Sequence, residues 1–170
     1  MYMFSKHLAP IVFASVIMVP SVFADWEINA GTSSTAGQPQ DIVVSLKLNP
    51  KSHPEAACLS ITIARNLRGD FSPPGAPPTE ANVTLFPTLD GVALGDDKVV
   101  SSPRFECVTP EGFLTLAENL DAFIDGNPAN MVICPICWSE RYGTALPDYG
   151  VLNPPAVNRI LLNAEKIIDF

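Results

Sequence analysis

The chain has 170 residues, with 18 Asp and Glu residues against 10 Lys and Arg residues, so its formal net charge at pH 7 is −8. This acidic excess repels phosphate backbones and argues against a nucleic-acid-binding function. A chain of this length is expected to form a single domain with a substantial buried core.

The first 24 residues are typical of an export signal. Lys6 gives a short positive region, residues 8–23 are almost wholly apolar, and residues 22–24 fit the small-residue rule at a cleavage site. The apolar run is short for a membrane span, which needs about 20 residues. We therefore expect a cleaved signal peptide, a mature start near Asp25, and a periplasmic or secreted protein without stable membrane insertion. An uncleaved N-terminal anchor is the alternative.

Residues 25–40 are rich in Gly, Ser, Thr and Gln, which predicts a flexible leader before a folded domain over residues 41–170. The β-branched, apolar stretch at residues 41–48 predicts a buried strand. A helix is predicted over residues 54–67, because apolar residues recur on one face and Pro54 is tolerated at a first helical position.

Four prolines within residues 69–80 predict an exposed loop, because proline fixes φ and removes backbone donors. A second strand is predicted over residues 83–89. A second helix is predicted to open with Thr109 as its N-cap and Pro110 as its first residue, and to end near Ile124.

The last third of the chain continues the alternation of strands and helices. Its predicted elements are a short strand at 131–133, a helical turn at 137–143, a short strand at 149–151, a helix over 154–163 and a last strand at 166–170. Strands separated by crossover helices imply a mostly parallel sheet with helices on both faces. The sequence therefore predicts an α/β fold with a sheet of about five strands.

Polar or reactive residues follow three of the predicted strands. They are His53 in the turn after the first strand, Asp90 after the second, and Cys134 with Cys137 after the third. Ligand sites in such sheets lie beyond the carboxyl ends of the strands. These residues are therefore expected to share one edge of the sheet.

Several segments together resemble the DsrE/DsrF family of small sulfur-relay proteins. They are residues 41–67, residues 86–92, the strand that enters Cys134 with Arg141 and Gly143 shortly after it, and residues 161–170. The resemblance implies a three-layer, flavodoxin-like fold and a homo-oligomer. It also implies a cysteine after the third strand that carries sulfur as a persulfide, and Cys134 matches that position. The export signal, the insertion-like segments at 69–80 and 95–108, and Cys137 depart from the family pattern.

The Cys134-Pro135-Ile136-Cys137 motif has a chemistry that does not depend on the resemblance. A thiolate is the reactive form of cysteine, and a helix N-terminus or a nearby cation lowers the pKa of a thiol. Cys134 is predicted to lie between a strand and a helical turn, with Arg141 as a candidate neighbouring charge. We expect Cys134 to be the nucleophile or persulfide carrier and Cys137 the resolving thiol.

The cysteines could also have structural or metal-binding roles. Cys134 and Cys137 could form a structural disulfide or lie buried. A closed zinc site needs four nitrogen or sulfur ligands, and the chain has one Cys-x-x-Cys motif, so we expect no metal and no other cofactor. Cys58 is expected to be an inert helical thiol, whereas Cys107 could pair with Cys58 or with the motif. Four cysteines allow three complete pairings.

Three further residues have two interpretations each. His53 could donate a proton or orient a substrate, or it could simply be solvated in its turn. Asp90 could accept hydrogen bonds from a ligand, or it could cap the turn before Gly91. Trp138 could cover a pocket or pack in the core. Together with Arg141, His53 and Asp90 are the predicted substrate-binding residues.

The sequence thus predicts an exported protein that handles sulfur or thiols, of the sulfurtransferase or sulfur-carrier kind if it is an enzyme. Its expected partners are a sulfur donor or acceptor protein or a small thiol. The alternative is a non-catalytic exported binding module whose cysteines are structural.

Overall fold

A computed structural model describes residues 40–75, 81–102 and 106–170. The predicted signal peptide and all but the last residue of the predicted leader lie outside these residues, as does the end of the proline-rich loop. In chain order the elements are β1 (Gln40–Leu46), α1 (Pro54–Arg68), β2 (Ala81–Pro87), a 3₁₀ segment (Leu89–Gly95), α2 (Asp97–Val100), β3 (Glu106–Thr109), β4 (Gly112–Thr115), α3 (Leu116–Ile124), a second 3₁₀ segment (Pro128–Asn130), α4 (Pro135–Tyr142), α5 (Pro154–Asn163) and β5 (Lys166–Asp169).

The main sheet is parallel, with the strand order β2-β1-β5. Both faces of β1 are buried. Val44 and Leu46 belong to the core beneath α1, while Val43 on the opposite face lines a cleft with Ile160 of α5. The predicted α/β architecture, with helices flanking a parallel sheet, is therefore present.

The sheet is smaller than the predicted five strands. The two missing strands are reduced to single parallel bridges, one between Met131 and Leu85 and one between Val132 and Val151. The first bridge lies in a short segment, residues 131–134, between the 3₁₀ turn that ends at Asn130 and the helix that begins at Pro135. It still extends the hydrogen-bonded surface beyond β2.

The predicted helix start at Thr109 is wrong, because the chain forms an antiparallel hairpin of β3 and β4 there. The Thr109 hydroxyl donates to the Gly112 carbonyl, and Gly112 has a φ of 125°, which closes the turn. Helix α3 begins only at Leu116. Its N-cap is Thr115, which forms a reciprocal capping box with Glu118.

Helix α1 follows the prediction closely. It begins at Pro54 and ends at Arg68, and Gly69 caps it with a φ of 94°. A disulfide joins Cys58 of α1 to Cys107 of β3, with 5.2 Å between the Cα atoms. Of the pairings left open by the sequence, the structure thus has the one that fixes the hairpin to α1, and the expectation that Cys58 is an inert thiol is wrong. None of the helices in the described part of the chain is both long and apolar enough to cross a bilayer.

Candidate functional site

The backbone before Cys134 is held against the carboxyl end of β2. The Val132 N–H donates to the Leu85 carbonyl at 3.0 Å, and the Cys134 N–H donates to the Pro87 carbonyl at 3.0 Å. Helix α4 begins at the next residue because proline suits the first turn. Cys134 is thereby placed where the sequence predicts it, between the sheet edge and a helix N-terminus.

The two motif cysteines lie in contact as a free pair. Their Sγ atoms are 2.7 Å apart, which is longer than a disulfide bond and closer than two unbonded sulfur atoms normally approach. The Cys137 backbone N–H donates to Cys134 Sγ, at 3.5 Å. Both side chains are partly exposed. Because a disulfide bond is about 2.05 Å long, a small shift of either side chain would close this pair.

The pKa of Cys134 is raised above its ordinary value, contrary to the expectation from the sequence. Partial burial of the thiol is the largest cause, and the hydrogen bond with the Cys137 side chain adds to it. The backbone N–H groups of Cys137 and Ile136 act in the opposite direction but do not outweigh burial. Cys134 therefore keeps its proton more firmly than a free cysteine.

A shallow depression of about 440 Å³ opens beside the pair and is lined by Leu89, Asp90, Cys137, Glu140 and Arg141. Arg141 forms an ion pair with the Asp90 carboxylate and also donates to the Asp90 backbone carbonyl at 3.3 Å. The guanidinium charge is thus largely matched by Asp90 rather than directed at a thiolate.

The 3₁₀ segment that carries Asp90 is positioned by a close backbone approach. The Gly91 N–H donates to the Lys47 carbonyl at 3.0 Å. A Cβ at this position would lie 2.0 Å from the Leu46 carbonyl oxygen, so only glycine fits. Leu89, two residues before Gly91, has a φ of 49°, which side-chain-bearing residues rarely adopt.

His53 takes no part in this cluster. It is the N-cap residue of α1, and its Nδ1 lies 3.4 Å from Glu55 Oε1 on an exposed surface. The structure therefore brings together four of the five predicted site residues, Cys134, Cys137, Asp90 and Arg141, and leaves His53 outside the depression.

Trp138 packs in the core, as the simpler interpretation of the sequence had it. Its side chain is 2% exposed, and its indole N–H donates to the Ala145 carbonyl at 2.7 Å. This contact holds α4 to the chain that follows it, and both motif cysteines stay partly exposed.

Sequence reasoning missed three residues around the pair, namely Leu89, Ile136 and Glu140. Leu89 and Ile136 are 62% and 72% exposed. The position of Ile136 between two cysteines at a helix start was a usable signal. No sequence signal marks Leu89, because its exposure depends on the close packing of Gly91 against the end of β1. Among the described residues, no three His, Cys, Asp or Glu side chains are grouped as a metal site would require.

No family model matches the sequence, and no curated protein matches it. Among solved structures, the chain is similar to the crystal structure of the YchN protein from E. coli. The two share 18% sequence identity over 77% of this chain and 99% of that one, with a TM-score of 0.48. A similarity this low carries no argument about the chemistry of the site, and the resemblance to the DsrE/DsrF family stays a prediction.

Proposed function

We propose that this protein handles thiols or sulfur through Cys134 and Cys137, which cycle between a dithiol and a disulfide. The observation that carries the proposal is the 2.7 Å contact between two partly exposed, unbonded sulfur atoms beside an open depression. A purely structural pair has no need of access from solvent. Reactive cysteines, by contrast, are partly exposed and lie next to polar backbone groups.

The exchange with a substrate disulfide balances without any further reagent. One site thiolate attacks a substrate sulfur, the substrate S–S bond breaks, and the first substrate thiolate leaves. The second site cysteine then attacks the first, forms the Cys134–Cys137 bond and releases the second substrate thiolate. The protein loses two electrons and two protons, and the substrate disulfide becomes two thiols. The reverse reaction oxidises a substrate dithiol.

Persulfide chemistry at Cys134 leads to the same oxidised pair. The Cys134 thiolate would attack the outer sulfur of a donor persulfide, and the donor thiolate would leave. Because Cys137 Sγ lies 2.7 Å from Cys134 Sγ, it could then attack the inner sulfur and release hydrosulfide. A persulfide on Cys134 is therefore short-lived in this chain unless an acceptor removes its outer sulfur first.

An exported location remains part of the proposal. The Cys58–Cys107 disulfide supports it, because such bonds persist in oxidising compartments and are rare in the cytosol. The homo-oligomer is proposed on the family resemblance alone.

Thiol counting tests the proposal. The protein is treated with mild reductant without denaturant, desalted, alkylated and analysed by intact mass and peptide mapping. We expect Cys134 and Cys137 to be alkylated, and a prior incubation with hydroxyethyl disulfide to protect both by joining them. The Cys58→Ala, Cys107→Ala double variant is the matched control and should behave in the same way. Thiols that react only after denaturation would instead support the non-catalytic binding module with structural cysteines.

A further inference from the structure

Two large apolar side chains near the reactive pair are exposed to solvent. Ile136 lies between the two cysteines in sequence and is 72% exposed, and Leu89 in the lining of the depression is 62% exposed. Leu89 is also held at a φ of 49°, a conformation that costs free energy for a residue with a side chain. A sulfur that reaches Cys137 through the depression therefore passes beside Leu89, and Ile136 adds a second exposed apolar side chain next to Cys137 in the sequence.

The electrostatics of the depression disfavour anions. Arg141 is paired with Asp90, and Glu140 adds a second carboxylate to the lining, so the five lining residues carry a net negative charge. The whole chain has a formal net charge of −8. Low-mass anionic disulfides are repelled by such a surface, whereas basic segments are attracted and neutral segments are not repelled.

Only one of the two cysteines lines the depression. Cys137 contributes to its wall, whereas Cys134, the N-cap residue of α4, is not among the lining residues. A thiol that lines the open space is placed to meet a substrate, and the neighbouring thiol in contact with it is placed to resolve the mixed disulfide. The raised pKa of Cys134 fits the second role, because this thiol ionises less readily than an ordinary cysteine.

Building on the proposed function, we infer that Cys137 is the entering thiol and that its substrate is a polypeptide disulfide with an apolar side chain, in a neutral or basic sequence, beside the reactive sulfur. The Cys137 thiolate attacks that sulfur, and the first substrate thiolate leaves. Cys134 then gives its proton to solvent, attacks Cys137 Sγ and expels the second substrate thiolate. These roles reverse the order expected from the sequence.

Single-thiol variants test the order of attack. Cys134→Ser and Cys137→Ser are each reacted with a peptide disulfide, and the mixed disulfide is followed by mass spectrometry. We expect the adduct on Cys137 in Cys134→Ser to form about tenfold faster than the adduct on Cys134 in Cys137→Ser, because Cys137 lines the open depression and Cys134 does not. Equal rates, or faster capture by Cys134, would overturn the assignment.

A panel of probes tests the substrate class in the full chain. The probes are the disulfide dimer of a peptide with Leu before its cysteine and Lys after it, a matched dimer with Ser and Glu in those places, glutathione disulfide, and hydroxyethyl disulfide as the small neutral reference. We expect the Leu-Lys dimer to oxidise the pair about tenfold faster than the Ser-Glu dimer or glutathione disulfide, relative to the reference.

Surface variants locate that preference. Leu89→Ser and Ile136→Ser should each lower the rate ratio of the Leu-Lys dimer to the reference by about threefold or more. Leu162→Ser changes an 83% exposed leucine on α5 and should leave the ratio as it is. The inference is overturned if the protein shows no preference among the probes, or if Leu162→Ser lowers the rate ratio as much as Leu89→Ser does. In either case, oxidation of the pair by hydroxyethyl disulfide would still uphold the proposed function. If the reference itself fails to join the pair, the proposed function falls with it.

Discussion

Trp138 stacks on Tyr142, with 4.2 Å between the ring centroids and 23° between the ring planes. The two residues lie one turn apart in α4, the helix that carries both motif cysteines at its start. The stack lies within this helix, and the hydrogen bond from the Trp138 indole to the Ala145 carbonyl fixes the helix to the chain that follows it. The site therefore depends on a packed aromatic pair on the inner side of α4.

Replacing Trp138 should loosen this support. In Trp138→Phe the smaller ring leaves a void and the Ala145 carbonyl loses its donor, so we expect the free energy of unfolding to fall by about 2 kcal/mol. Urea unfolding followed by circular dichroism measures the change. Tyr142→Phe keeps the stacked ring and should lose less than about 1 kcal/mol. An equal loss in both variants would contradict the supporting role given to the Trp138 ring and its hydrogen bond.

The Cys58–Cys107 disulfide should stabilise the protein without taking part in its chemistry. It links residues 49 positions apart, for which loop-closure entropy gives a stabilisation of up to about 4 kcal/mol. The Cys58→Ala, Cys107→Ala double variant should unfold at markedly lower urea while still closing the Cys134–Cys137 bond. If the double variant also failed to close the Cys134–Cys137 bond, the position of the hairpin would be shown to control the site.

Asp70 should make the fold acid-sensitive. Burial alone would raise the pKa of its carboxyl, but hydrogen bonds from Arg68 and Arg65 outweigh it, so the pKa lies below the ordinary value. Arg65 also bonds to Glu111 at 2.9 Å and to Asn119 at 3.1 Å, so the cluster joins α1 to the hairpin and α3.

The sign of the pH effect follows from that lowered pKa. A group whose pKa is lower in the folded state stabilises it above the unfolded pKa, about 4 for Asp, and this contribution is lost as pH falls through the folded value. We expect Asp70→Asn to lose about 2 kcal/mol at pH 7 and to show a shallower decline in stability below pH 4. Denaturant titrations at several pH values test this, and parallel pH curves for the two proteins would contradict it.

Local signals account for most of what the sequence predicted correctly. Pro54 and Gly69 mark the two ends of α1 because each favours a particular conformation of its own backbone. The Cys134 motif was evident from its spacing alone. The hairpin was missed because Thr109 and Pro110 imitate a helix start, while the true capping box lies at Thr115. Leu89 and the pairing of Arg141 with Asp90 follow from long-range contacts, which no local pattern encodes.

The pKa of Cys134 provides the most direct check on the electrostatics of the pair. Burial, the hydrogen bond with the Cys137 side chain and the charge of that side chain all raise it, whereas backbone N–H groups lower it. Cys137→Ala removes two of the three causes that raise the pKa and keeps the backbone donors. The pKa of Cys134 should therefore be lower in Cys137→Ala than in the reduced wild-type protein.

The pH dependence of alkylation by iodoacetamide, read at Cys134 by peptide mass, measures this difference. The rate should climb about tenfold per pH unit below the pKa and then level off, because only the thiolate reacts. Levelling off should occur at lower pH in Cys137→Ala, while Ser139→Ala, which changes an exposed hydroxyl of α4, should follow the wild type. Burial of Cys134 persists in every variant. If the alkylation rate levelled off at the same pH in Cys137→Ala and in the wild type, burial alone would set the pKa and the sulfur–sulfur contact would contribute nothing.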